Sequence, residues 1–165
     1  MNDLPLYGCC TFRIGDACFA VPADGVVEVL RGGRLTRVPL APDGILGLLH
    51  LRGRIVPVID PATHLGVSRK MPEQPTHLVI ALQDDWYGLV IDEMLDVVEI
   101  PQDRIEQPSP SSAEGPVEGP GEALAGVFAA PDRLVHLLDP QRMIQSFVRQ
   151  RPQTLERQAT SHGRP

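Results

Sequence analysis

The stretch Gly47-Leu-Leu-His-Leu-Arg-Gly-Arg54-Ile-Val-Pro-Val-Ile-Asp60-Pro61 returns in outline as Gly126-Val-Phe-Ala-Ala-Pro-Asp-Arg133-Leu-Val-His-Leu-Leu-Asp139-Pro140. Gly, Arg and Asp-Pro all match at one offset of 79 residues without a gap, and the apolar positions between them coincide. Within the first copy, Gly47–Leu51 and Ile55–Ile59 are short aliphatic runs around Arg52-Gly53-Arg54, the pattern of a tight hairpin with glycine where positive φ is needed. Each copy closes on Asp-Pro, a helix cap followed by a favoured first-turn residue. Earlier in each half, Phe19-Ala-Val-Pro-Ala-Asp24 resembles Tyr87-Gly-Leu-Val-Ile-Asp92, and both precede Val-Val-Glu plus an aliphatic residue. A repeat of this length implies two similar β units, each too small to hold much core alone. Each closes into a small barrel and buries its remaining apolar face against its twin.

The rest of the chain agrees. Phe12–Ile14 and Phe19–Val21 flank a turn at Gly15-Asp16-Ala17, and Leu78–Leu82 and Trp86–Ile91 flank another at Gln83-Asp84-Asp85. Val26–Leu30, Val97–Ile100 and Leu134–Leu138 read as further strands. Fifteen glycines and seventeen prolines in 165 residues make turns frequent and long helices improbable. Helical signal is confined to short pieces: Ala41–Leu46 and the segments after Asp60 and Asp139. The fold class expected is all-β with short helical turns. One domain over residues 1–148 is expected, with barrel subdomains of approximately 17–75 and 76–148 and a shared N-terminal strand. Residues 107–122, rich in Pro and Gly, read as a mobile loop, and 149–165 as a disordered tail with four arginines against one glutamate.

Composition narrows the function. A net charge of −6 and a pI of about 5.3 argue against generic binding to nucleic acid or anionic lipid. No run approaches the ~18 apolar residues of a membrane span, and no secretory signal is visible, so a cytoplasmic location is the expectation. Cys9, Cys10 and Cys18 form no disulfide framework, and on a strand Cys9 and Cys10 point to opposite faces; they read as buried small hydrophobes. The five histidines lack metal-site spacing, no nucleophile elbow or phosphate loop occurs, and no cofactor is expected. An enzyme such as a carboxylate-dependent hydrolase would need two carboxylates converging in space. A peptide-binding module of the SH3 kind would need more aromatics than the 4% present.

Leu35-Thr-Arg-Val-Pro followed by Gly47 through Asp60, and Tyr87–Asp92 with Asp96-Val-Val-Glu-Ile100, resemble the signature of the CheW-like chemotaxis coupling proteins. The likeness runs from Phe12 to about Ile144. It implies two SH3-like five-stranded barrels around a shared hydrophobic core, and a scaffold that performs no chemistry. The implied partners are the regulatory domain of a CheA-type histidine kinase and the cytoplasmic tip of a methyl-accepting chemoreceptor. Implied with them is recruitment to membrane receptor arrays without insertion in the bilayer. The residues matching the family's receptor-contact pattern are Val26, Glu28, Gly47 and Arg52. Each has a plainer reading: core for Val26, a solvated strand charge for Glu28, backbone geometry for Gly47, an ordinary hairpin charge for Arg52. His50 stands where the family commonly has Asn, as a possible pH-sensitive modulator. Ser111 and Ser112 stand where a kinase-ring contact is common. These departures also fit an adaptor of a chemotaxis-like pathway controlling surface behaviour or pili.

Overall fold

A computed structural model describes residues 6–107 and 123–149. Ten strands occur among them: β1 (Leu6–Ile14), β2 (Ala17–Pro22), β3 (Val26–Arg31), β4 (Ile45–Leu51), β5 (Arg54–Ile59), β6 (Thr76–Leu82), β7 (Asp85–Ile91), β8 (Glu93–Pro101), β9 (Leu124–Ala129) and β10 (Leu134–Leu138). Two short helices follow the two Asp-Pro pairs, α1 (Pro61–Leu65) and α2 (Pro140–Arg149). The all-β class, the three hairpin turns and both helix caps stand as expected: Asp60 Oδ1 accepts from the Ala62 N–H at 3.0 Å and Asp139 Oδ1 from the Arg142 N–H at 3.2 Å. Ala41–Leu46 is not helical. Pro42 and Gly44, the latter at φ +91°, make a turn that feeds β4. The loop expected over 107–122 and the tail over 149–165 lie outside the described residues, save Gln107 and the backbone of Arg149.

The strands form two five-stranded sheets with orders β8-β1-β2-β10-β9 and β3-β6-β7-β5-β4. In terms of the repeat, both sheets have the same order, but each combines the first two strands of one copy with the last three of the other. β3 pairs with β6 instead of β1, and β8 pairs with β1 instead of β6. The strand sets therefore do not divide between residues 75 and 76: the first sheet uses both ends of the chain, the second its middle. Each copy donates strands to the other's barrel, and neither barrel is complete without both.

Each barrel has its own interior, and a third core lies between them. Cys9, Cys18, Ala20, Ile100, Val135 and Leu137 fill the first barrel; Leu49, Val56, Val58, Val79 and Val90 fill the second. Between them, Phe12, Ile14, Phe19 and Val21 meet Leu78, Ile80, Leu89 and Ile91, with Met143, Ile144 and Phe147 of α2 alongside. Strands β1, β2, β6 and β7 are thus buried on both faces, which is why their sequences are nearly continuous apolar runs. Cys9 and Cys10 do point to opposite faces, one into a barrel and the other into the shared core, and all three thiols are free and buried. Burial pushes the Cys9 thiol up to about 11, which keeps it protonated and inert.

Candidate functional site

The receptor-pattern residues gather at the seam of the second barrel. Its sheet has β3 and β4 as edges. After β3 the chain folds back and Thr36 bridges to Leu48, exchanging N–H···O bonds of 2.9 and 2.8 Å. Gly47 permits this approach. A Cβ there would stand 2.6 Å from the Thr36 carbonyl oxygen, on a backbone with φ +155°. The first barrel repeats the device: Glu106 bridges to Val127, and a Cβ on Gly126 would stand 3.1 Å from the Glu106 oxygen and 2.5 Å from Ile105 Cγ2. Closing a barrel seam thus accounts for the glycine in both copies of the repeat.

Arg52 and Gly53 form the two-residue tip of the β4–β5 hairpin, at φ +50° and +76°, the φ pattern of a type I′ turn. An arginine at left-handed φ costs about 1 kcal/mol relative to glycine. From this tip its Nε reaches Glu28 Oε1 on β3 at 3.1 Å, so the ion pair spans the two edge strands. The Arg52 side chain is 66% exposed and that of Glu28 21%. Glu28 Oε1 is sealed from solvent and has this charge beside it without the alignment of a hydrogen bond. Beyond this pair, no hydrogen bond of the described residues engages the Arg52 guanidinium. Its repeat counterpart, Pro131, lies in a four-residue connection closed by Ala130 N–H to Arg133 O at 2.8 Å; proline cannot take positive φ. The two tips are built differently.

Val26 is half-buried, opposite Ile80, and packs against the shared core. His50 is exposed on β4 opposite Ile55 and lines a groove along the seam with Leu30, Arg31 and Thr36. The seam thus unites Glu28, Arg52, Gly47 and His50, while Val26 turns toward the core. Arg69, which the sequence reading passed over, is the most heavily engaged ion of the described residues. Its Nη2 lies 2.5 Å from Asp60 Oδ1 and 3.2 Å from the Val90 carbonyl, and its Nη1 2.7 Å from Asp92 Oδ1. Asp60 and Asp92 are converging carboxylates of the kind a hydrolase needs, but both are engaged by one 3% exposed guanidinium. Among the described residues no group of three or more His, Cys, Asp or Glu could hold a metal ion. No described helix is long and apolar enough to cross a membrane.

Comparison with known proteins agrees with the fold. The profile of the CheW-like domain matches residues 8–148. The chain is 32% identical over 132 residues to a probable chemotaxis protein CheW of Rhizobium etli, covering 78% of this chain and 81% of that protein. It is 32% identical over 143 residues to protein FrzA of Myxococcus xanthus, covering 85% and 86%. Protein PilI of Pseudomonas aeruginosa is 31% identical over 100 residues, 60% of this chain and 56% of that one. Among solved structures, the scaffolding protein TtCheW of Thermoanaerobacter tengcongensis superposes with a TM-score of 0.71 at 22% identity, over 82% of this chain and 90% of that one. The shared fold is two SH3-like barrels.

Proposed function

The chain belongs to the CheW-like domain family, and from that premise we propose a non-catalytic adaptor that couples methyl-accepting chemoreceptors to a CheA-type histidine kinase. The observation that carries the reading is the hairpin tip at the second barrel's seam, where Arg52 holds a left-handed position that glycine would fill at lower cost. Gln83 takes the same left-handed φ at the β6–β7 tip, so what sets the Arg52 tip apart is an exposed charge paired across the seam. The receptor tip, a helical hairpin, contacts the seam through Arg52 and Glu28. Gly47 and Val26 support that surface from within, and His50 flanks it. The kinase regulatory domain binds elsewhere on the barrels, and the complex sits in the cytoplasm at receptor arrays.

A second reading within the same class is an adaptor of a chemotaxis-like pathway serving surface behaviour or pili; the likeness to FrzA and PilI favours it. The test is paired titration of the full chain with a receptor-tip fragment and with the regulatory domain of each CheA-type kinase in the same cell. Saturable binding to one receptor and one kinase is expected, and the kinase that binds identifies the pathway. Binding to neither would end the adaptor reading.

A further inference from the structure

We propose that the groove along the seam of the second barrel binds an acidic, aliphatic segment of a partner protein. It is an open groove of about 420 Å³, lined by half-buried Leu30, by Leu49, which is only 6% exposed, and by exposed Arg31, Arg34, His50 and Thr36. No carboxylate lines it, although the chain carries 21 acidic residues against 15 basic. Arg31 and Arg34 are exposed, and neither makes an ion pair or side-chain hydrogen bond among the described residues. The nearest acid in sequence, Glu28, is already engaged by Arg52. Uncompensated cations concentrated in one concavity of an acidic protein select ligands of opposite charge.

Glycine keeps the groove open. Gly32 and Gly33 separate the two arginines at φ +70° and +117°, turning the chain back so that both flank one cleft. A Cβ on Gly33 would stand 3.2 Å from Leu49 Cδ1, and a side chain there would fill the space. Guanidinium groups take carboxylate and phosphate in forked, charge-assisted contacts. Half-buried Leu30 decides between them: a bare phosphate leaves it uncovered, whereas a peptide that sets an aliphatic residue beside Asp or Glu covers it and satisfies the arginines together. The groove lies on the seam that carries Arg52 and Glu28, so the inference rests on the adaptor reading and names the chemistry of the partner segment it takes.

The experiment pans phage-displayed random decapeptides on the full chain and, in parallel, on Arg31→Glu/Arg34→Glu. Selected sequences are expected to carry two or more acidic residues spaced by aliphatic ones. A synthesised winner should bind the native chain about tenfold or more tightly than the double variant, with affinity falling as salt rises. Arg31→Lys/Arg34→Lys, which keeps charge but not the fork, should lie between. Far-ultraviolet circular dichroism checks folding, and Arg31→Gln/Arg34→Gln replaces the double glutamate variant if that one does not fold. Selection without an acidic consensus, equal binding to the charge-altered variant, or displacement by inorganic phosphate at peptide-like concentration would each overturn the proposal. Kinase and receptor titrations on the same variants report separately on the adaptor reading.

Discussion

Arg69 and Asp92 are joined at 2.7 Å where the chain crosses from the second sheet to the first. Asp92 sits between β7 and β8, and its Oδ2 accepts the Gly15 N–H at 2.6 Å from the β1–β2 hairpin of the other barrel. Arg69 also holds Asp60, the cap of α1. One buried guanidinium therefore links three pieces of backbone from both barrels. Gly15 itself has no room for a Cβ, which would stand 2.9 Å from the Ser68 carbonyl oxygen.

Arg69→Met should be costly. It would leave two largely buried carboxylates without a counter-charge, and breaking such a pair from one side typically costs about 3–5 kcal/mol. Adding Asp60→Asn and Asp92→Asn removes the stranded charges and should recover part of the loss. Urea titration of the three chains measures it. A single-variant loss below about 1 kcal/mol would mean that water reaches the site.

Strand exchange dictates a second outcome. Residues 1–72 and 73–165, produced apart, should show no cooperative unfolding, because each lacks strands that its sheet requires. Mixed, they should regain a cooperative transition and the far-ultraviolet spectrum of the whole. A fragment that melts alone at the temperature of the intact chain would contradict the topology.

The histidines set the acid limb of stability. His64 is buried with both ring nitrogens unpartnered, its ring 3.7 Å from that of Phe147 on α2. Its repeat counterpart is Met143, fully buried. Burial holds the pKa of His64, His77 and His136 below the ordinary value; for His77 a bond to the Gly32 carbonyl partly opposes it. The folded chain thus binds fewer protons than the unfolded one at mildly acid pH. Stability is full above the unfolded pKa of about 6.5 and falls as pH drops below it, by at most about 1.4 kcal/mol per pH unit per histidine. His64→Met should reduce that slope between pH 6.5 and 5 by one histidine's share, leaving that of His77 and His136, without loss at pH 7.5. An unchanged slope would show that His64 takes up no extra proton on unfolding.

How much of this was legible in the sequence depends on distance along the chain. Hairpins and caps are local, so Gly15, Gly53, Asp60 and Asp139 announced themselves. β9 has Gly126 and two alanines among six residues and reads poorly as a strand; only its match to Gly47–Leu51 marked it. The pairing of β3 with β6 was not legible, because nothing in either strand's periodicity distinguishes its own repeat's partner from the other's. Arg69 lies in Val67–Pro75, a stretch without apolar period that reads as linker. The only available signal was Asp92, a carboxylate directly following an apolar strand. Glu28 and Arg52 were singled out by resemblance, yet their pairing across the seam is a property of barrel closure.

Gly47 separates backbone need from partner contact. Gly47→Ala and Gly126→Ala should each lose about 2–3 kcal/mol, since the added Cβ meets backbone oxygen or a packed isoleucine in both barrels. Gly53→Ala, with open space around it, should lose only about 1 kcal/mol. Thermal unfolding of the three variants ranks them. Should Gly47→Ala keep native stability and still lose receptor binding, Gly47 is a contact residue after all.

Arg52 gives the sharpest separation of folding from function. Its ion pair with Glu28 is two-thirds exposed on the arginine side but sealed at Glu28 Oε1. Arg52→Ala keeps the left-handed Cβ and leaves that oxygen without its counter-charge, so stability should fall by about 1–2 kcal/mol. Arg52→Gly loses the same pair but relieves the backbone by about 1 kcal/mol, so it should lie closer to the native chain. Both variants remove the same guanidinium donors, and receptor-tip affinity should fall in both by about 1.5–3 kcal/mol if a charge-assisted contact is lost. Kinase binding should persist in both. Arg52→Lys should rescue little, because a lysine presents a point charge where the guanidinium presents a fork. Unfolding curves and receptor and kinase titrations on the same preparations decide the matter. Native receptor affinity in Arg52→Gly would remove the residue from the site; a collapse of stability in Arg52→Ala alone would make it a structural residue of the hairpin.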